Sequence, residues 1–379
     1  MNVPFYDATR EYRAYKHDFD DAIASVIASG SFILGKEVRE FEEAIKGYTG
    51  AKYAVGVANG SDALVIASDI LGLKKGAEVL TPVFTFFASA SCIARLGGTP
   101  VFCDVNEDTF SMDMGDAEKR ITKNTKGIIP VHLFLQTADM TACMDLVEQY
   151  HLAVLEDAAE AFGMESPYKG VYKHAGTIGD FGVFSFFPTK TLGCYGDGGM
   201  VVTNNEALYR KVKSYRVHGS SVRYHHDYIG YNSRLDTLQA AVLQVKLTHI
   251  ENTIERRAAH AAQYRELLKD IPAIKLPSIK DGNREVNYVF CVQAENRDRL
   301  EAHLKEQGIG TSVYYPIPLH LQKCFEYLGY KAGDFPVAER LCESVLALPM
   351  FPELTEDEVS YVCESVREFY RRCRRVSEI

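Results

Sequence analysis

The sequence has nine cysteines but no CxxC pair, no apolar tract long enough to cross a bilayer, no basic excess and no GxGxxG run. Each absence excludes something. The cysteines (Cys92, Cys103, Cys143, Cys194, Cys291, Cys324, Cys342, Cys363 and Cys373) are odd in number, and several sit in apolar runs such as VFCDV. They read as reduced, buried thiols of a cytoplasmic protein, not as a disulfide framework or a metal site, and no metal is expected. Lacking an apolar span, the chain offers no membrane helix. The N-terminal MNVPFYDATREYRAYKHDFDD does not have the basic-then-apolar order of a secretory signal. The formal net charge of −9 and a pI near 5.7 give a surface that repels nucleic-acid backbones and anionic membranes, so neither is a default partner. Phosphates must then be held by a local cluster of donors. Without the GxGxxG order, the glycines of GDGG at 196–199 are not a dinucleotide fingerprint.

The 379 residues are 46% hydrophobic and 25% charged, an ordinary soluble mix sized for about two domains at the usual ~150 residues each. Residues 1–12 read as an extended N-terminal arm. A helical pattern runs from Tyr15 to Ala28 and stops at Ser29-Gly30. Short apolar runs then recur: YAVGVA (53–58), EVLTP (78–82), TPVFCDV (99–105), GIIPVHLF (127–134), AVLEDA (153–158), FGVFSF (181–186) and GMVVTN (199–204). Amphipathic stretches such as Ser61–Leu73 and Met140–His151 separate them. This alternation predicts an α/β fold, with a mostly parallel central sheet flanked by helices over 13–248. Asp236 to Lys269 reads as one long helical region leading into a smaller α+β domain at 249–379. That domain contains VNYVFCVQ (286–293), a helix near Arg297–Gln307, SVYY (312–315) and a charged amphipathic helix from Thr355 to Arg375. No repeat or low-complexity segment is present.

The most informative stretch is FGVFSFFPTKTLGCYGDGGMVVTNN. An apolar strand ends at Ser185, a short turn carries Lys190, and glycines lead back into a strand. A lysine at the end of a buried strand is placed for chemistry, although a lone lysine is most often a solvated charge. Asp157 ends the apolar run AVLED; it caps a helix or sits under a cationic ring nitrogen. Gly60 and Ser61 in ANGSDAL open a helix whose free amides suit a phosphate, or simply need a cap.

In this order the segments NGSDAL, PVFTFFASA (82–90), EDAAEAFG, SFFPTK and GYNSRLDTLQAAVL (230–243) resemble the DegT/DnrJ group of sugar-nucleotide aminotransferases, fold-type I pyridoxal-phosphate enzymes. The resemblance extends from VPFYD to LPMFP, nearly the whole chain. LGCYGDGG and RYHHDYIGYNSRLDTLQAAVL are most similar to members that aminate carbon 3 of a UDP- or TDP-linked keto sugar. The resemblance implies that Lys190 carries pyridoxal phosphate and shuttles the proton, its amine brought into range by burial or a nearby cation. Asp157 is implied to pair with the pyridinium nitrogen. Gly60, Ser61 and Ser185 would hold the phosphate, and Asn232 would reach it from a neighbouring subunit. Phe86 would stack on the ring, with ordinary core as its alternative. Tyr315 and His320 would border the sugar, with Tyr314 standing where many relatives carry histidine. Arg223 and His225 would meet the nucleotide diphosphate from the second subunit, although for Arg223 a solvated loop charge is an equal reading. Glu160 departs from the glutamine common in relatives near the cofactor's phenolic oxygen. A carboxylate there either holds a proton or turns to another partner.

The implied activity is amination of a nucleotide-linked keto sugar by an amino acid, L-glutamate first, through pyridoxal phosphate and its amine form, in a homodimer with shared sites. The alternatives are a sugar dehydratase of the same fold, whose members carry histidine in place of the lysine, and a non-catalytic regulatory homologue.

Overall fold

Strands β1 (Tyr53–Val57), β2 (Glu78–Pro82), β3 (Thr99–Cys103), β4 (Thr125–Ile128) and β5 (Ala153–Asp157) build most of the central sheet of the computed structural model, which describes residues 1–377. A hairpin of β6 (Glu165–Tyr168) and β7 (Val171–His174) intervenes before β8 (Phe181–Ser185) and β9 (Gly199–Thr203) complete the sheet. The order across it is β1-β9-β8-β5-β4-β2-β3. Only β9 runs against its neighbours; the pairs β8–β5, β5–β4, β4–β2 and β2–β3 are parallel. Helices Gly60–Ile70, Ala88–Arg95, Met140–Tyr150 and Glu206–Tyr215 follow strands in chain order. Helix connections place cover on both faces, which is why these strands are apolar along their length instead of alternating. β9 is buried at every residue.

A small hairpin, β10 (Ser220–Val222) with β11 (His225–His226), stands on the surface. A second sheet joins β12 (Ile274–Lys275), β13 (Phe290–Ala294) and β14 (Val345–Leu348) in antiparallel pairs. Helices Ile250–Leu268 and Glu356–Ser377 pack together beside it, and Tyr264 stacks on Phe290 with ring centroids 5.0 Å apart. Each fully buried side chain of that size contributes about 1.5–3 kcal/mol. Among the described residues no helix is long and apolar enough to cross a membrane, and no group of His, Cys, Asp and Glu is placed to hold a metal ion.

Several segments differ from the sequence reading. The arm is extended only as far as Asp7, whose carboxylate accepts the Thr9 amide and caps a helix at Ala8–Ala14. Its first residues are tied down: Val3 exchanges hydrogen bonds with Gly308 and Gly310, and the Tyr6 hydroxyl donates to the Pro188 carbonyl at 2.6 Å. The long helical region is two helices, Thr237–Thr248 and Ile250–Leu268, because His249 leaves helical geometry (φ −109°, ψ 5°) and its ring stacks on Tyr15 at 3.8 Å. GIIPVHLF pairs as a strand only to Ile128, since Pro130 has no amide to offer and Phe134 turns with φ +64°. VNYVFCVQ becomes strand only from Phe290: Asn287 has φ +47° and Tyr288 turns away to bond Phe134. SVYY forms no strand. Ser312 bridges Ala347, and the two tyrosines after it face a cavity.

Candidate active site

The cavity lies beyond the C-terminal ends of β5 and β8, where the crevice of an open α/β sheet takes its ligands. Its volume is about 520 Å³, and it is lined by Gly60, Ser61, Phe86, Asp157, Glu160, Ser185, Lys190 and Tyr315 among the residues anticipated above. Lys190 and Asp157, 33 positions apart in sequence, thus face one space.

Asp157 is the last residue of β5 and is buried. Ser89 Oγ donates to its Oδ2 at 2.7 Å, and the Ala159 amide donates to its Oδ1 at 3.1 Å. No helix begins here, so capping is not its role. Burial pushes its carboxyl up, and Ser89, the Ala159 amide and the Lys190 charge only partly offset that. The preceding residue, Glu156, is equally buried but held low. Burial opposes its ionisation, yet His132 and the Gly179 and Gly176 amides prevail. His132 accepts the Ala138 amide on Nδ1, so its proton is on Nε2 and points at Glu156, 3.0 Å away.

At the other end of the cavity, helix Gly60–Ile70 starts with amides that have no acceptor inside the helix. Asn59 Oδ1 takes the Asp62 amide at 2.8 Å, leaving those of Gly60 and Ser61 beside Ser185. Glycine is required at 60, because a Cβ there would lie 2.7 Å from Ser185 Cβ. Phe86 is 57% exposed and lines the cavity, which removes ordinary core as its explanation.

Lys190 sits in a turn closed by its own amide on the Phe187 carbonyl at 2.8 Å. Its Nζ meets Glu160 Oε1 at 3.2 Å, with only 14% and 6% of the two side chains exposed. Glu160 Oε2 accepts the Phe134 amide at 3.1 Å. Of the two options for Glu160, the carboxylate has turned to other partners. A depressed lysine was the expectation, and the reverse holds here. Burial does push the amine down, but the Glu160 charge, followed by Tyr288, holds it above the ordinary lysine value.

Replacing Glu160 by glutamine keeps the shape and removes the anion. In the cofactor-loaded protein, the pH midpoint of the visible absorbance should fall by about one pH unit, the usual effect of losing an opposite charge at this range. Cofactor binding should be retained. An unmoved midpoint would show that Glu160 places no charge on the lysine.

Four anticipated residues lie elsewhere. His320 does not border the cavity: it is 1% exposed, packed on the Phe335 ring, with Nε2 on Glu339 at 3.1 Å. Arg223 and His225 are on the exposed β10–β11 hairpin, and Asn232 bridges Val217; none lines the cavity of its own chain. Conversely, Ser89, His132, Tyr288 and Phe5 were not singled out, though Ser89 sits within the PVFTFFASA segment. Tyr288 carries no sequence signal; only the fold brings it to Lys190.

The model of the DegT/DnrJ/EryC1/StrS aminotransferase family matches residues 14–367. The chain belongs to this family. Its members are aminotransferases that work with pyridoxal phosphate. Among similar members is the "pleiotropic regulatory protein" of Geobacillus stearothermophilus, 47% identical over 98% of this chain and 99% of its own. The UDP-N-acetyl-3-dehydro-alpha-D-glucosamine 3-aminotransferase of Acidithiobacillus ferrooxidans is 40% identical over 96% and 97%. Among solved structures, Streptomyces venezuelae DesV in complex with a ketimine intermediate superposes with a TM-score of 0.93 at 39% identity, covering 97% of this chain and 98% of that one.

Proposed function

We propose that the chain is a cytoplasmic, homodimeric transaminase. It would move an amino group from L-glutamate to the keto carbon of a nucleotide-linked sugar, carbon 3 of a UDP- or TDP-linked one. The single observation that carries this reading is the cavity lined by both Lys190 and Asp157.

That cavity fits pyridoxal phosphate. Two free amides, Gly60 and Ser61, and the Ser185 hydroxyl suit its phosphate. Asp157 is a buried anion for its ring nitrogen, and Phe86 offers a free aromatic face. When bound, the cofactor supplies an aldehyde for the amine and a ring that withdraws electrons from the substrate carbon. The chain supplies the rest. Asp157 holds a proton on the ring nitrogen. Lys190 attaches the cofactor and carries a proton to and from the carbon that bears the nitrogen. Tyr315, with Tyr314 and Phe5, walls the sugar side.

Charge supports a shared site. The lining has three carboxylates, Asp157, Glu160 and Asp197, but one lysine and no arginine. A phosphate and a nucleotide diphosphate need more cations than this. The β10–β11 hairpin carries Arg223 and His225 close in sequence to Tyr224, 80% exposed, and Ile229, 97% exposed. Apolar groups so bare suit a surface that a second copy would cover. Asn232 would enter the partner's phosphate site in the same way.

The dehydratase alternative fails on Lys190. The name of the Geobacillus relative keeps a regulatory role in view, and a half-reaction separates the two. Yellow, cofactor-loaded protein given L-glutamate and no sugar should bleach and release one equivalent of 2-oxoglutarate per site. A non-catalytic regulator would keep its colour and release none.

A further inference from the structure

Tyr288 is the one cavity residue whose ring face meets the Lys190 amine, with Nζ 4.2 Å from the ring centroid. The residue is held at its backbone on both sides and at its hydroxyl. Its backbone amide donates to the Phe134 carbonyl at 3.1 Å. Its own carbonyl accepts from Arg257 Nη1 at 3.0 Å, and the same nitrogen reaches the Asn287 carbonyl at 3.2 Å and that of Met350 at 2.9 Å. Arg257 is itself buried. The phenol oxygen lies 3.0 Å from Thr189 Oγ1, next to the lysine in sequence.

These contacts close a loop. Lys190 bonds one oxygen of Glu160, the other oxygen takes the Phe134 amide, the Phe134 carbonyl takes the Tyr288 amide, and the Tyr288 ring returns to Lys190. Glu160, Phe134 and Lys190 follow strands of the central sheet, whereas Tyr288 leads into the second sheet. A cation over an aromatic face is attracted by the ring's quadrupole, more strongly out of water. An anion on one side and an aromatic face on the other define one resting place for a charged amine.

We infer that Tyr288 is a positioning residue for the Lys190 amine, its ring face holding the ammonium against Glu160. The catalytic meaning rests on the transaminase reading; the geometry does not. Each time the amine is free it returns charged to one point, instead of sampling the rotamers open to a long side chain. The ring acts among fixed charges. Glu160 and Asp157 bear on the amine from the cavity. Behind it, a small chamber holds Tyr6, Glu11, Lys246, Arg257 and Glu353.

A substitution series that changes only the ring's electrons isolates its effect. The full chain, freed of cofactor, is labelled competitively with an amine-reactive reagent across pH, and Lys190 is read by peptide mass. Tyr288→Phe also removes the hydroxyl's own pull on the amine, so its titration midpoint should fall, but by less than half as much as in Tyr288→Leu. Progressively fluorinated phenylalanines at 288 keep the shape and drain the face, so the midpoint should fall step by step. At full fluorination the fall should be about one pH unit, a roughly tenfold change in the protonation constant. Tyr288→Leu should fall as far. A flat fluorination series overturns the inference. So does a Phe variant that falls as far as Leu, because the hydroxyl on Thr189 would then be the anchor. The readout is the amine itself, so failure here leaves the transaminase reading standing. Failure of the glutamate half-reaction, in turn, leaves this result standing.

Discussion

Lys190→Ala should lose turnover by roughly 10⁴-fold or more, since it removes both the attachment of the cofactor and the group that moves the proton. Glutamate should no longer bleach the bound cofactor; persistent bleaching in that variant would remove the lysine from its assigned role. The loss should be reparable from outside the chain. Asn232 does not line the cavity of its own chain, whereas Lys190 does. In an isologous dimer, a Lys190→Ala chain paired with an Asn232→Ala chain has one site with both residues intact and one with neither. Random mixing makes half the dimers hybrid, so about a quarter of parental activity per chain should return. The two variants are mixed under mild denaturation, allowed to reassociate, and assayed for 2-oxoglutarate release. Activity that stays at the level of the separate variants would mean each site is built from one chain.

The hairpin at 220–226 makes the same point structurally. Its exposed Val222 and Tyr224, and the cations Arg223 and His225 that the acidic cavity lacks, are what the proposed dimer would use, so the mixing experiment tests this surface as well.

What the sequence disclosed follows from the range of the forces involved. The central strands were readable because burial on both faces makes them apolar throughout, a local property of runs such as AVLED and GMVVTN. Asp157 stands out because it ends such a run, and Lys190 because it sits in the turn that follows one. Breaks were harder. Nothing in LTHIENT announces that His249 will stack on Tyr15 and split a helix, because the partner is more than two hundred residues away. His320 follows VYYPIP as a sugar-side residue would, but its ring is taken by Phe335 and Glu339 from a later helix. Tyr288 lay inside an apolar run that read as strand. It is turned into the cavity by a buried arginine and by a residue at position 134 with positive φ. The direction of the amine's pKa was hidden for a related reason: burial can be read from an apolar run, whereas the Glu160 contact depends on a turn that only the fold specifies.

Asp157→Asn should separate stability from function in opposite directions. In the parent, burial raises this carboxyl above its ordinary value. A carboxylate that binds its proton more tightly when folded favours the fold at low pH. That advantage is lost as pH climbs from the ordinary carboxylate range through the raised value, so at neutral pH the buried charge is a burden on the cofactor-free fold. Asparagine removes the charge without stranding a partner. Its oxygen can keep the Ala159 amide, and its nitrogen can donate to Ser89 Oγ, whose proton then turns to Thr85 Oγ1 at 3.2 Å. Thermal melts of cofactor-free protein at neutral pH should therefore show Asp157→Asn at least as stable as the parent, with the difference closing as pH falls. Turnover should move the other way, dropping about 10³-fold, because a neutral amide no longer holds a proton on the cofactor's ring nitrogen. The same trade is common where a fold carries a charge for chemistry alone. If Asp157→Asn melted well below the parent and kept its activity, the carboxylate would be a structural tie and the cofactor would have to sit another way round in the cavity.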